Sequence, residues 1–382
     1  MIYLDNAATT FPKPVCLLNE INSCLKTYCG NPGRSAHDLS IKSAEKIFEA
    51  RSLVGEFFNS EPENVVFTYN TTYALNIAIK SLLKPFSHVL ISDIEHNSVY
   101  RPVVSLSKQG LCNFDIFSTS GTKEEILDSI KKLVLPTTNM LVCSHVSNIG
   151  VRRLPIKEIG EFCKENNITF ILDGAQSAGI YSIDVKAMNI SALCIPGHKA
   201  LYGPQGVGII IFNDIIGKSI IEGGTGINSL ETQMPDFLPE AYEAGTLSTP
   251  LIAGLCESLK WLKTLNIDCV RDYEEKLYSI LIENLRNISG VKLYLMNKYS
   301  GNTVLFNISG LSSHFVGEEL NKSGIYVRSG FHCSSLAHKV LNTGDSGAVR
   351  ISLGVFNTKK EINDTLNIIN QIVKDNKKKI RL

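Results

Sequence analysis

One lysine stands apart from the rest. In Pro196-Gly197-His198-Lys199-Ala200-Leu201-Tyr202-Gly203-Pro204-Gln205-Gly206-Val207-Gly208 it follows an apolar run and precedes a glycine-rich turn. Most lysines beside turns are simply solvated. A lysine that condenses with an aldehyde must instead lose its proton, which burial and cationic neighbours promote. Flanking glycines let backbone and ligand approach closely. Upstream, Ile171-Leu172-Asp173-Gly174-Ala175-Gln176 places a carboxylate at the end of a second apolar run. Asp173 could serve as a helix N-cap, yet beside Lys199 it fits a more specific chemistry. Pyridoxal 5′-phosphate (PLP) takes a Schiff-base lysine and a carboxylate that keeps its ring nitrogen protonated, so that the ring accepts electrons from a substrate carbanion.

Further contacts follow from the same reading. Asn70-Thr71-Thr72 sits at a strand-to-helix turn, where free N–H groups and hydroxyls suit a phosphate or cap the helix. His96, after the strand ending at Ser92, could lie over the ring, although a lone histidine is more often structural. Asn148 and Gln176 are placed to meet the ring oxygen. Arg350 suits a carboxylate held by a bidentate pair, or a salt bridge between two parts of the chain. In Tyr326-Val327-Arg328-Ser329-Gly330-Phe331-His332-Cys333-Ser334-Ser335, the cysteine has Arg and His nearby as cations for a thiolate. Cys333 is the nucleophile candidate among ten cysteines; others, such as Cys143 and Cys194, lie in apolar runs and read as core filler.

The elements that must position these groups are legible as alternating patterns. Apolar runs at Val65–Tyr69, His88–Ser92, Met140–Ser144, Ile168–Leu172 and Val207–Phe212 read as strands. Helical spacing lies between them, from Ile41 to Phe57, at Lys123–Leu133 and at Lys157–Asn166. The alternation implies an α/β fold with a largely parallel sheet, whose ligands sit beyond the carboxyl ends of the strands. The polar clusters at 70–72, 95–97, 145–148 and 173–176 each follow a strand. After Thr249-Pro250, helices at Leu251–Leu265 and Asp268–Leu285 lead to strands at Thr303–Ile308 and Ala348–Leu353 and a last helix near Lys359–Lys374. The expected division is a large domain over 12–255 and a smaller α+β domain over 256–382, completed by 1–11.

Length and composition agree: 382 residues, 44% hydrophobic and 20% charged, with net charge +1. That charge gives no footprint for nucleic acid or an anionic membrane. No apolar stretch is long enough to span a bilayer. The start lacks the pattern of a secretory signal, so a cytoplasmic chain with reduced thiols is expected. The run Lys377-Lys378-Lys379 reads as a solvated tail. No Cys/His spacing suggests a metal.

The motifs from Tyr3-Leu4-Asp5-Asn6-Ala7-Ala8-Thr9-Thr10 through Gly197-His198-Lys199 to Arg350-Ile351-Ser352 resemble the class V aminotransferase family of fold-type I PLP enzymes. Within it, the cysteine desulfurase/selenocysteine lyase branch is the match. Arg328-Ser329-Gly330-Phe331-His332-Cys333 resembles the short cysteine loop of group II, the SUF-type enzymes.

The resemblance implies a large domain with a mostly parallel seven-stranded sheet, Lys199 as the Schiff-base lysine and Asp173 as the ring-nitrogen partner. His96 would stack on the ring, and Asn148 and Gln176 would face its oxygen. Thr71, Thr72 and His198 would hold phosphate, together with Thr246 reaching in from a second copy in a homodimer with shared sites. Arg350 and Asn148, with Ala7, would hold the carboxylate of L-cysteine. Cys333 would take the sulfur as a persulfide, leave alanine, and pass the sulfur to a thiol acceptor or a sulfur-acceptor protein. Pro196 replaces a serine or threonine common at the phosphate, and Phe331 replaces the first histidine of a His-His-Cys sequence; Ser334-Ser335 is also an uncommon continuation. These departures keep two other readings open: a selenocysteine lyase or another lyase or aminotransferase of the family, and a PLP-fold scaffold without catalysis.

Overall fold

The structure, a computed structural model, describes residues 1–33, 37–150, 152–213, 215–295 and 301–380, with side chains through 376. The side chains of Lys377, Lys378 and Lys379 lie outside that description. The strands are β1 Ile2–Tyr3, β2 Val65–Thr68, β3 Ser87–Ser92, β4 Cys112–Phe117, β5 Thr138–Ser144, β6 Thr169–Asp173, β7 Ala192–Pro196, β8 Gly208–Phe212, β9 Val291–Tyr294, β10 Thr303–Ile308, β11 Ile325–Tyr326, β12 Arg328–Gly330 and β13 Ala348–Ser352. The helices are α1 Val15–Thr27, α2 Asp38–Phe58, α3 Thr71–Leu82, α4 Asn97–Lys108, α5 Lys123–Leu133, α6 Ile156–Glu165, α7 Thr249–Leu265, α8 Ile267–Asn287, α9 Ser313–Lys322, α10 Ser335–Leu341 and α11 Lys359–Ile380.

Seven strands form one sheet in the order β2-β8-β7-β6-β5-β3-β4, parallel throughout except for β8, which runs against both neighbours. This is the mostly parallel seven-stranded sheet expected. Alternate residues point to opposite faces. Leu90, Leu141, Cys143, Phe170, Leu172 and Leu193 pack with α2, α5, α6 and α7 on one side. Val89, Ile91, Met140, Val142, Ile171 and Cys194 pack with α3 and α4 on the other. Both faces are therefore dry, which is why these strands read as unbroken apolar runs.

The outer edge of β2 is closed by side chains. Arg51 donates to the Val65 carbonyl and pairs with Glu243, and Glu243 accepts the Phe67 N–H at 2.6 Å. An ion pair thus stands where another strand would pair.

A four-stranded antiparallel sheet, β12-β13-β10-β9, packs with α8, α9 and α11 around a separate core. β1 joins that region by pairing with β11, and Asp5 bridges to Ser352. Position 255 falls inside the unbroken α7. Leu255, Leu259 and Leu262, on both sides of the expected boundary, share the core of the large sheet. A helix buried along one continuous stripe leaves no break at 255.

Candidate active site

Five turns converge on a cleft at the carboxyl edge of the large sheet. Asn70, Thr71 and Thr72 come from the turn after β2, and His96 and Ser98 from the start of α4. Ser144 ends β5, with Val146 and Asn148 after it; Asp173 ends β6, with Ala175 and Gln176 after it; His198 and Lys199 follow β7. Of the expected residues, Lys199, Asp173, His96, Asn148, Gln176, Thr71, Thr72 and His198 are brought together. Glu95 and His145, in the same polar clusters, are instead buried and do not line the cavity.

Lys199 is half-buried, and desolvation of its amine lowers its pKa to about 8; Asp173 pulls the other way, while Arg350 and Arg328 add to the lowering. An appreciable fraction of free amine is then present near neutral pH. The Lys199 backbone is strapped by the N-terminal segment. Thr9 Oγ1, Thr10 Oγ1 and Lys13 Nζ donate to the His198 carbonyl at 3.1, 3.2 and 2.7 Å, and Thr10 Oγ1 also reaches the Lys199 carbonyl at 3.0 Å. Burial raises the pKa of the Asp173 carboxyl. Its Oδ1 accepts the Ala175 N–H at 2.9 Å, so a cationic partner at the remaining oxygen would hold it ionised.

His96 caps α4. Its Nδ1 accepts the Ser98 N–H at 3.1 Å, and burial lowers its pKa to about 4, with Lys199 adding to the effect. The ring is thus neutral with its proton on Nε2. At the turn after β2, Asn70 caps α3 by accepting the Tyr73 N–H at 3.1 Å. Thr71 Oγ1 is buried without a hydrogen-bond partner, and so is His198 Nδ1. The turn sits close against β8: a Cβ at Gly208 would stand 2.4 Å from the Asn70 backbone. Orphaned polar atoms beside the open first turn of a helix are the setting of an anion such as phosphate. Together with a half-buried lysine and a buried carboxylate in the same lining, they fit PLP. Pro196, paired with Gly208 in the sheet, is buried and stands outside the lining.

The cysteine loop is fastened to the cavity wall. Asn148 Nδ2 donates to the His332 carbonyl at 2.7 Å, Ser334 Oγ donates to Asn148 Oδ1, and the Asn97 N–H donates to the Cys333 carbonyl at 2.8 Å. Cys333 itself is exposed. The histidine beside it does not supply the cation expected: His332 is buried, and its pKa falls to about 2, burial leading and Arg350 adding. Nor does Phe331 leave the loop with one imidazole. His338 of α10 lies within 10° of parallel to His332, and Phe331 packs edge-on against it.

Arg350 is buried behind Asn148 rather than lining the cavity. It donates to the Asn148 carbonyl at 2.9 Å and pairs with Asp5 at 2.6 Å, while its Nε has no partner. Ala7 accepts Gln176 Nε2 at 3.0 Å through its carbonyl. Thr246 lines a different cavity, with Tyr69 and Tyr73. Sequence reasoning missed Asp5, Asn97, Lys13 and His338 as supports. Asp5 lay within a motif already singled out, and His338 five positions past Cys333 was the available signal.

Residues 2–364 match the family described as aminotransferase class-V. A protein of Methanothermobacter thermautotrophicus named a probable cysteine desulfurase is 31% identical over 372 residues, covering 94% of this chain and 92% of the relative. A Pyrococcus abyssi protein of the same name is 32% identical over 389 residues, covering 98% and 94%. The apo structure of a cysteine desulfurase from Thermococcus onnurineus NA1 superposes with a TM-score of 0.91 at 28% identity, covering 98% of this chain and 95% of that one. Sheet order, cavity and sequence agree that this chain belongs to the class-V aminotransferase family.

Proposed function

We propose that the chain is a PLP-dependent cysteine desulfurase, converting L-cysteine to L-alanine with transfer of sulfur to Cys333. The observation that carries this is the fastening of the Cys333 loop, through Asn148, to the wall of the cavity that holds Lys199 and Asp173. When bound, PLP supplies a ring that accepts negative charge from the substrate's α-carbon. Asp173 would hold the ring nitrogen protonated. Thr71 Oγ1, Thr72, His198 Nδ1 and the free N–H groups of α3 would hold the phosphate. His96 would cover the ring, and Asn148 and Gln176 would face its oxygen.

Lys199 Nζ is the base for the α-proton. Arg350, with Asn148 and Ala7, would orient the substrate carboxylate; buried behind Asn148, it would act by bracing that residue through the carbonyl it donates to. Cys333 Sγ attacks the substrate sulfur. The substrate C–S bond breaks as the S–S bond forms, and the electron pair passes to carbon, which takes a proton to leave alanine. A thiol acceptor then removes the terminal sulfur. Thr246, away from Lys199 within one chain, would act from a second copy in a homodimer. The loop is read as the group II type, and the enzyme as cytoplasmic. Among the described residues no helix is long and apolar enough to cross a membrane.

The test is to supply PLP, L-cysteine and dithiothreitol and assay sulfide and alanine together. Equal amounts are expected, with a gain of one sulfur on Cys333 before reductant and loss of both products in Cys333→Ala. Absence of a cofactor absorbance band would sink the proposal. A band with turnover of selenocysteine that survives Cys333→Ala would move the assignment to a lyase.

A further inference from the structure

His332 and Cys333 both have left-handed backbone, with φ of +52° and +56°. For two successive residues with side chains this is an unfavourable conformation that surrounding contacts must hold. Two of those contacts act on carbonyls, from Asn148 to His332 and from Asn97 to Cys333. The third is the His332 ring. Its Nε2 meets the Arg328 carbonyl at 3.3 Å and its Nδ1 meets His338 Nε2 at 3.0 Å; His338 Nδ1 in turn meets Thr343 Oγ1 at 2.9 Å.

The proton positions along this chain follow from its end. A carbonyl can only accept, so His332 carries its proton on Nε2 and its Nδ1 is an acceptor. His338 must then donate from Nε2, which leaves its Nδ1 to accept from the Thr343 hydroxyl. Burial keeps both rings neutral, lowering His338 to about 4 as it does His332 to about 2. Every hydrogen bond therefore points one way, from Thr343 through His338 and His332 to Arg328.

We propose that His338, by donating to His332 Nδ1, is a positioning residue that fixes the backbone presenting the Cys333 thiol. The proposal rests on Cys333 being the sulfur-accepting nucleophile. His338 belongs to α10, and its side chain meets the loop at His332 and Phe331. Without its N–H, His332 Nδ1 is a buried acceptor with no donor, and the ring escapes by leaving its pocket. The left-handed pair is then released, and the thiol moves while the cofactor cavity stays as it was.

The experiment uses the PLP-loaded enzyme with His338→Leu, His338→Gln and Thr343→Val. At saturating L-cysteine, His338→Leu should form the Cys333 persulfide about tenfold more slowly. The cofactor absorbance band and the L-cysteine concentration that half-saturates its spectral change should stay within about twofold of wild type. His338→Gln, which keeps an N–H toward His332, should recover most of the rate, and Thr343→Val should lose about threefold. Hydrogen exchange across residues 328–341, read by mass spectrometry, should quicken in His338→Leu and remain near wild type in His338→Gln. Wild-type persulfide rates in His338→Leu would overturn the proposal, as would equal losses in the Leu and Gln variants. Should His338→Leu not fold, an unchanged rate in Thr343→Val overturns it by itself. If wild type forms no persulfide, the desulfurase assignment fails separately, and hydrogen exchange then decides: unchanged exchange in His338→Leu overturns the clamp.

Discussion

The two ends of the cavity are built on opposite principles. Where the turns after β2 and β7 face the cavity, polar atoms are buried and unpaired: Thr71 Oγ1 and His198 Nδ1 have no protein partner. At the cysteine loop, Asn148 uses both ends of its amide, and Ser334, His332 and His338 are all paired. An unpaired buried group costs free energy until a ligand satisfies it. A fully paired network instead fixes one geometry. The first end is shaped for a small anion that arrives from outside, and the second to hold a nucleophile that belongs to the chain.

The strongest way to break this contrast is Asn148→Ala, because Asn148 stands in the cavity wall and also anchors the loop. We expect sulfide production to fall by about 100-fold through misplacement of Cys333, with the cofactor band retained; a steady-state assay beside an absorbance spectrum checks it. A sharper, smaller effect separates the ends. Thr71→Val should weaken cofactor binding about tenfold yet leave the apo protein as stable as wild type or more so, since it removes an unsatisfied hydroxyl. Ser334→Ala should do the reverse, lowering stability by about 1 kcal/mol with cofactor affinity unchanged. Denaturant unfolding of the apo proteins and PLP titrations give both numbers.

An effect read as a slope against pH concerns Glu95, which accepts from Ser92 and from the Ser144 N–H and hydroxyl, each of the latter two at 2.9 Å. Burial raises its pKa to about 8, against an ordinary 4.5. The folded chain then keeps a proton that the unfolded chain has lost, so this residue's contribution is full below pH 4.5 and declines as pH rises through about 8. Glu95→Gln carries no such proton and should gain on wild type over that window, by up to about 1 kcal/mol per pH unit. Unfolding curves for the two proteins at several pH values read the slope.

The large sheet was legible because its strands are dry on both faces. β3, β5 and β6 appear as apolar runs within a residue or two of their observed ends. β4 escaped notice because it is an edge strand whose Asn113, Asp115 and Ile116 are exposed, so its pattern is diluted. α4 escaped because Pro102 lies within it. In the site, the groups following each strand were legible from their types alone. Their supports were not: Asp5 meets Arg350 from the other end of the chain, and the pairing of His332 with His338 depends on how a short helix turns back onto its loop. The reading of His332 as a cation failed for the same reason, since burial is set by tertiary packing and not by its neighbours in sequence.

The Asp5–Arg350 pair also imposes an order of events during synthesis. Asp5 is made before any strand of the large sheet, and Arg350 follows only after every one of them has been made. A nascent chain can therefore complete the sheet and expose Lys199 long before Arg350 arrives to back Asn148, and the wall that carries the cysteine loop is the last part of the cavity to close.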